Sequence, residues 1–147
     1  MKPYSFRLEK VLDYKSYLRK RAQKAVFNAR NKYMKMEKEV LGLAEKRTEL
    51  FDKCSDEGNK GICVPVYRLY QTFMQKIDDD LKEAHFRLNE EKEKIIAKEA
   101  VLKHASIKKK TLEILKDTQR KKYIESFQRE EQKLLDEIVI IGKGGSQ

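Results

Sequence analysis

The sequence predicts an all-α fold: a two-helix antiparallel coiled-coil hairpin whose second helix is the longer. Three observations predict it. Apolar residues recur at spacings of three and four along two long stretches, about residues 5–54 and 66–141. A single break separates them, Ser55-Asp56-Glu57-Gly58-Asn59-Lys60-Gly61-Ile62-Cys63-Val64-Pro65, and five of the six glycines lie in it or beyond residue 141. Charged and hydrophobic residues each make up 39%, and the mean hydropathy is −0.80, the composition of long solvated helices rather than of a compact globule.

Ser5 is the expected N-cap of the first helix. Its apolar stripe reads Leu8, Val11, Leu18, Ala22, Ala25, Ala29, Tyr33, Met36, Val40, Leu43 and Leu50, with a one-residue slip of register near Tyr33. The small side chains from Ala22 to Ala29 permit close approach of a second helix. Gly42 costs about 1 kcal/mol relative to alanine without ending the helix. Pro65 marks the start of the second helix, where its missing N–H would have had no partner. The stripe there runs Val66, Tyr70, Phe73, Ile77, Leu81, Ala84, Leu88, Ile95, Leu102, Ala105 and Leu112. Glu91, Lys98 and Lys109 interrupt it, and polar seam positions restrict register. Beyond Leu115 it continues through Gln119, Tyr123, Phe127, Leu134 and Ile138. Gly142 is expected to end the helix, leaving residues 142–147 as a disordered tail. Residues 1–147 are thus read as a single hairpin.

At 1.5 Å per residue the first helix spans roughly 75 Å and the second roughly 110 Å. Folded back from the break, the second outruns the first by roughly 25 residues at that rise, starting near Lys116. The overhang carries Tyr123, Ile124, Phe127, Leu134, Leu135 and Ile138. An apolar stripe with no partner inside the chain marks an interaction surface, for another protein or for a second copy.

Charge is unevenly spread. The net value is +10, yet residues 1–35 hold eleven Lys and Arg against Glu9 and Asp13, while residues 51–100 hold nine basic and eleven acidic residues. Folding back makes the terminal end basic and the tip not. A field of one sign speeds encounter with partners of the opposite sign. An acidic protein, a nucleic acid and an anionic lipid surface all qualify.

Enzyme chemistry finds no foothold in the sequence. Two helices enclose no site, and no GxxxxGK[ST] phosphate loop is present. His85 and His104 are too far apart on one helix to share a metal. Asp78, Asp79 and Asp80 occupy consecutive helical positions and point to different sides. Cys54 and Cys63 lack the companion ligands of a zinc site. No cofactor, metal or small-molecule substrate is expected. No stretch approaches the roughly 18 apolar residues of a membrane span, and no signal-peptide core opens the chain, so a cytoplasmic protein with reduced thiols is expected. The clusters Arg19-Lys20-Arg21, Lys108-Lys109-Lys110 and Arg120-Lys121-Lys122 lack a regular array of stacking aromatics or a base-reading motif, which argues against nucleic acid.

The opening Phe6-Arg7-Leu8-Glu9-Lys10-Val11-Leu12 leads into a Lys- and Arg-rich helix. After the break, the second helix carries Tyr70-Gln71-Thr72-Phe73 near its start. Toward its end come Lys121, Lys122 and Tyr123, then Glu130, Glu131, Asp136 and Glu137. This plan resembles the flagellar export protein FliJ over nearly the whole chain. The resemblance implies a non-enzymatic stalk of the flagellar type III export apparatus, serving flagellum biogenesis and motility. It would be cytoplasmic and peripheral at the cytoplasmic face of the inner membrane. Its implied partners are the hexameric export ATPase, the export gate membrane protein and the export chaperones. Phe6, Leu8, Val11, Leu12, Arg19, Lys20, Arg21, Tyr123 and Phe127 are then the expected ATPase contacts. Leu43, Leu50, Phe73 and Ile77 match the gate-binding stripe of the family, although Lys46 and Asp80 depart from its pattern and the four also fall on the expected seam. The rival readings are the equivalent stalk of a virulence injectisome and a basic coiled coil on nucleic acid or an anionic membrane.

Overall fold

A computed structural model describes residues 2–145. Two long helices pack against each other in a hairpin, α1 (Glu9–Lys60, 52 residues) and α2 (Val64–Gly144, 81 residues), joined by residues 61–63. The all-α class, the hairpin and the longer second helix follow the sequence pattern.

The helix ends depart from it. α1 begins four residues after Ser5. The carbonyl of Leu8 accepts the first helical bond from the Leu12 N–H at 2.9 Å, after a tight turn in which the Glu9 N–H reaches the Phe6 carbonyl at 3.2 Å. Ser5 is therefore not the cap. Glu9 opens the first turn, where its charge favours the helix dipole. At the other end α1 runs on through residues 55–60, expected to be turn. Gly58 sits in ordinary helical backbone with open space around it. A glycine weakens a helix by about 1 kcal/mol, too little to stop one already propagating. The chain reverses at Gly61, whose φ of 84° lies in the left-handed region open to glycine. Pro65 falls inside the first turn of α2, because the Cys63 carbonyl already accepts the Tyr67 N–H at 3.1 Å. α2 continues through Gly142 to Gly144. The part of the expected tail at residues 146–147 lies outside the described residues.

Contacts group the chain into two units, Met1–Arg21 with Lys103–Gln147, and Ala22–Leu102. In the second, Ala22, Val26, Ala29 and Val40 are buried on α1, and Val26 is the most enclosed at 3% exposure. They fall on an unbroken 4-3 repeat with Tyr33, Met36 and Leu43. On α2 the facing residues are half-buried: Tyr70, Met74, Ile77, Leu81, Ala84, Leu88 and Ile95, with Glu91 buried among them. The expected slip near Tyr33 disappears once Val26 replaces Ala25 as a seam residue. Charged pairs flank the seam: Arg30 meets Glu99 at 2.8 Å, Arg47 meets Asp78 at 2.5 Å, and Lys32 reaches Glu91 at 3.3 Å.

Candidate functional site

The unit formed by both ends of the chain gathers most of the expected contact residues. Residues 2–8 do not continue the helix and instead lie along α2. Phe6 is buried at 7% exposure, and Leu12 follows it into the same interior one turn into α1. The Tyr4 ring meets the Tyr123 ring at 5.6 Å between centroids, tilted by 46°. The Tyr4 hydroxyl donates to the Lys116 carbonyl at 3.1 Å, and the Tyr123 hydroxyl donates to the Lys2 carbonyl. Lys116 closes the contact with its Nζ 2.8 Å from the Glu9 carboxylate. The Glu9 hydrogen bond raises the Lys116 pKa despite partial desolvation. Glu9 faces Lys116 and Lys2 faces Tyr123, so residues 2–8 cover α2 as far as Tyr123, and its uncovered part begins one residue later, not at Lys116.

Around this interior lies a basic collar. Residues 2–21 hold seven Lys and Arg against Glu9 and Asp13, and residues 103–122 hold eight against Glu113 and Asp117. Arg19 is half-buried and spans the two helices, its Nε donating to Ser106 Oγ at 3.3 Å. It borders an open groove with Lys103, Lys109, Lys110 and Glu113, the last two cations differing in that Lys109 pairs with Glu113 at 3.6 Å. Lys20 and Arg21 are exposed, as are Val11, Tyr14 and Tyr17.

The expected ATPase contacts thus divide. Phe6 and Leu12 are interior, Leu8 and Tyr123 are half-buried, and Arg19 is engaged with Ser106. Val11, Lys20, Arg21 and Phe127 present themselves to solvent. The Tyr4–Tyr123 contact was not foreseen. Its only signal is an aromatic placed beside Pro3, ahead of a helix that does not begin until Glu9.

In the other unit, Leu43, Leu50 and Ile77 are half-buried along the seam, whereas Phe73 is 49% exposed. Met74 takes the inward position that the sequence pattern assigned to Phe73. A shallow groove beside Leu43 is lined by Met36, Ala84, Asp80 and Arg87. Lys46 is exposed. Cys54 is half-buried and Cys63 exposed, both as free thiols. Among the described residues no helix is long and apolar enough to cross a membrane, and no group of three or more His, Cys, Asp or Glu could hold a metal ion.

A family model described as Flagellar FliJ protein matches residues 4–144. Among solved structures, the chain is similar to the Chlamydia trachomatis protein CT670, proposed there to be a YscO homolog. The two share 19% identity and a TM-score of 0.49, over 92% of this chain and 93% of that one. No curated protein matches the sequence.

Proposed function

The chain belongs to the FliJ family and is a flagellar export component, and from that premise we propose that it serves as the non-enzymatic stalk of the export ATPase. In this reading the basic collar docks at the ATPase hexamer, and the exposed residues Val11, Lys20, Arg21 and Phe127 make the contact. Phe6, Leu8, Leu12 and Tyr123 act beneath them by holding the two ends of the chain together, and Arg19 bridges the helices. The observation that supports this most is the concentration of charge. Fifteen cations against four acids lie in residues 2–21 and 103–122, whereas residues 22–102 hold sixteen against fifteen. A local field of that kind steers an acidic partner to one part of the molecule.

The second half of the proposal places the export gate membrane protein on the Ala22–Leu102 unit. Phe73 would insert its exposed ring, with Leu43, Leu50 and Ile77 supporting it from the seam. Export chaperones would meet the same cytoplasmic protein, peripheral at the inner membrane.

Co-purification with the export ATPase, and its hydrolysis rate with and without this protein, test the first half. Reversing Arg19, Lys20 and Arg21 to glutamate should reduce stimulation by roughly tenfold or more at moderate salt, since close charge pairs across an interface couple by 1.5 kcal/mol or above. Stimulation that survives the triple reversal unchanged would remove the collar as the contact.

A further inference from the structure

Past Tyr123 the polarity of α2 inverts. The α1-facing positions in this unit include Ala105, Lys109, Leu112, Lys116 and Tyr123, at spacings of three and four or their sum. Carried onward at that spacing, they fall on Ser126, Glu130, Lys133 and Glu137, all exposed and polar, before the face turns apolar again at Ile140. From Ile124 to Ile138 the apolar residues gather on a different face, about a third of a turn round the helix. Ile124, Phe127, Leu134, Leu135 and Ile138 are exposed by 43–63%. A stripe that changes face where the internal contact ends is shaped for a different partner. It is also acidic: residues 123–145 hold five Asp and Glu against three Lys and Arg. Its complement is a helix surface that is apolar and rimmed with cations.

The outer side of the preceding segment of α2 is such a surface. Ile107 and Ile114 are 52% and 55% exposed there, among Lys103, Lys108, Lys110 and Lys121. We propose that the occupant, in protein free of the export ATPase, is a second copy of this chain, with two α2 helices antiparallel about a twofold axis near Ser126; this pairing and the proposed ATPase contact through Phe127 and the collar exclude one another. Each acidic end then lies on the basic segment of the other copy. In this register Ile114 stands opposite the partner's Ile138 and Lys121 opposite the partner's Glu131, and symmetry makes each contact twice. Pairing the two acidic ends directly, one over the other, would set like charges together and is disfavoured.

Sedimentation equilibrium on the full chain tests this. The expected mass at low salt is twice the 17.4 kDa of one chain, falling toward the monomer as salt screens the pairs. Lys121→Glu or Glu131→Lys alone should raise the dissociation constant roughly tenfold or more, since each sets like charges opposite one another at two places. The combined K121E/E131K chain should return to the unsubstituted constant. A monomer at every salt and protein concentration overturns the proposal, as does a dimer that ignores both single reversals or is not restored by the pair. A monomer whose residues 124–138 are needed to bind the export ATPase would assign the stripe to that partner instead.

Discussion

Glu91 shows how one side chain can organise a seam. It is buried at 6% exposure on a face that is otherwise apolar, 3.3 Å from Lys32 of α1 and 3.2 Å from Lys94 one turn along its own helix. Burial alone would push its carboxyl up. The hydrogen bonds from Lys94 and Lys32 outweigh that, and its pKa lies below the ordinary 4.5. A depressed carboxyl stabilises the fold above its unfolded pKa, and the contribution is lost as pH falls through the lower folded value. Glu91→Gln should therefore lower the Tm at neutral pH, and its difference from the parent should shrink progressively below pH 4.5. A difference that stays constant from neutral to acid would show that the charge contributes nothing. Val26 makes the apolar counterpart. Truncating this 3%-exposed side chain to alanine removes two buried carbons and should cost about 2 kcal/mol in a urea titration. Val11→Ala, at an exposed position on the same helix, should stay within about 0.5 kcal/mol.

At the scale of the element, the connection between the helices rests on one backbone conformation. Gly61 holds φ at 84°, whereas Gly58, three residues earlier, is ordinary helix with nothing near the place a Cβ would occupy. The two glycines should therefore respond oppositely to alanine. G61A forces a left-handed alanine and should destabilise by about 1–2 kcal/mol, whereas G58A removes a flexible residue from a helix and should stabilise by about 0.5–1 kcal/mol. Equal effects in denaturant melts would contradict this assignment of the turn. The same contrast explains what the sequence could and could not disclose. Periodicity identified both helices, because every turn of a helix repeats the signal. It misplaced the ends, because a glycine reads alike whether it bends the chain or rides within a helix. It also chose Ala25 and Phe73 over Val26 and Met74. Apolar side chains on neighbouring positions compete for the seam, and only the facing helix decides between them. Arg19 escaped notice as a seam-edge residue because its use there depends on Ser106, 87 positions away. The segment that carries Tyr4 to Tyr123 leaves no periodic trace, because residues 2–8 are not helical.

At the scale of the whole molecule, the proposed ring contact and the proposed gate contact fall in different units. The cations of the collar belong to Met1–Arg21 and Lys103–Gln147, and Leu43, Leu50, Phe73 and Ile77 belong to Ala22–Leu102. Residues that share no partner contribute additively. Phe73 is the most separable of the gate set, because its ring is half in solvent while Leu43, Leu50 and Ile77 also serve the seam. Phe73→Ala should weaken binding to the export gate by roughly tenfold or more, as truncation of an aromatic anchor does, with little change in Tm and with ATPase stimulation intact. Reversal of Lys20 and Arg21 should do the converse, lowering stimulation while gate binding persists. Combining them should multiply neither defect. If Phe73→Ala abolished ATPase stimulation at unchanged Tm, the two contacts would have to be coupled through the helices, and a division of labour between the units would be untenable.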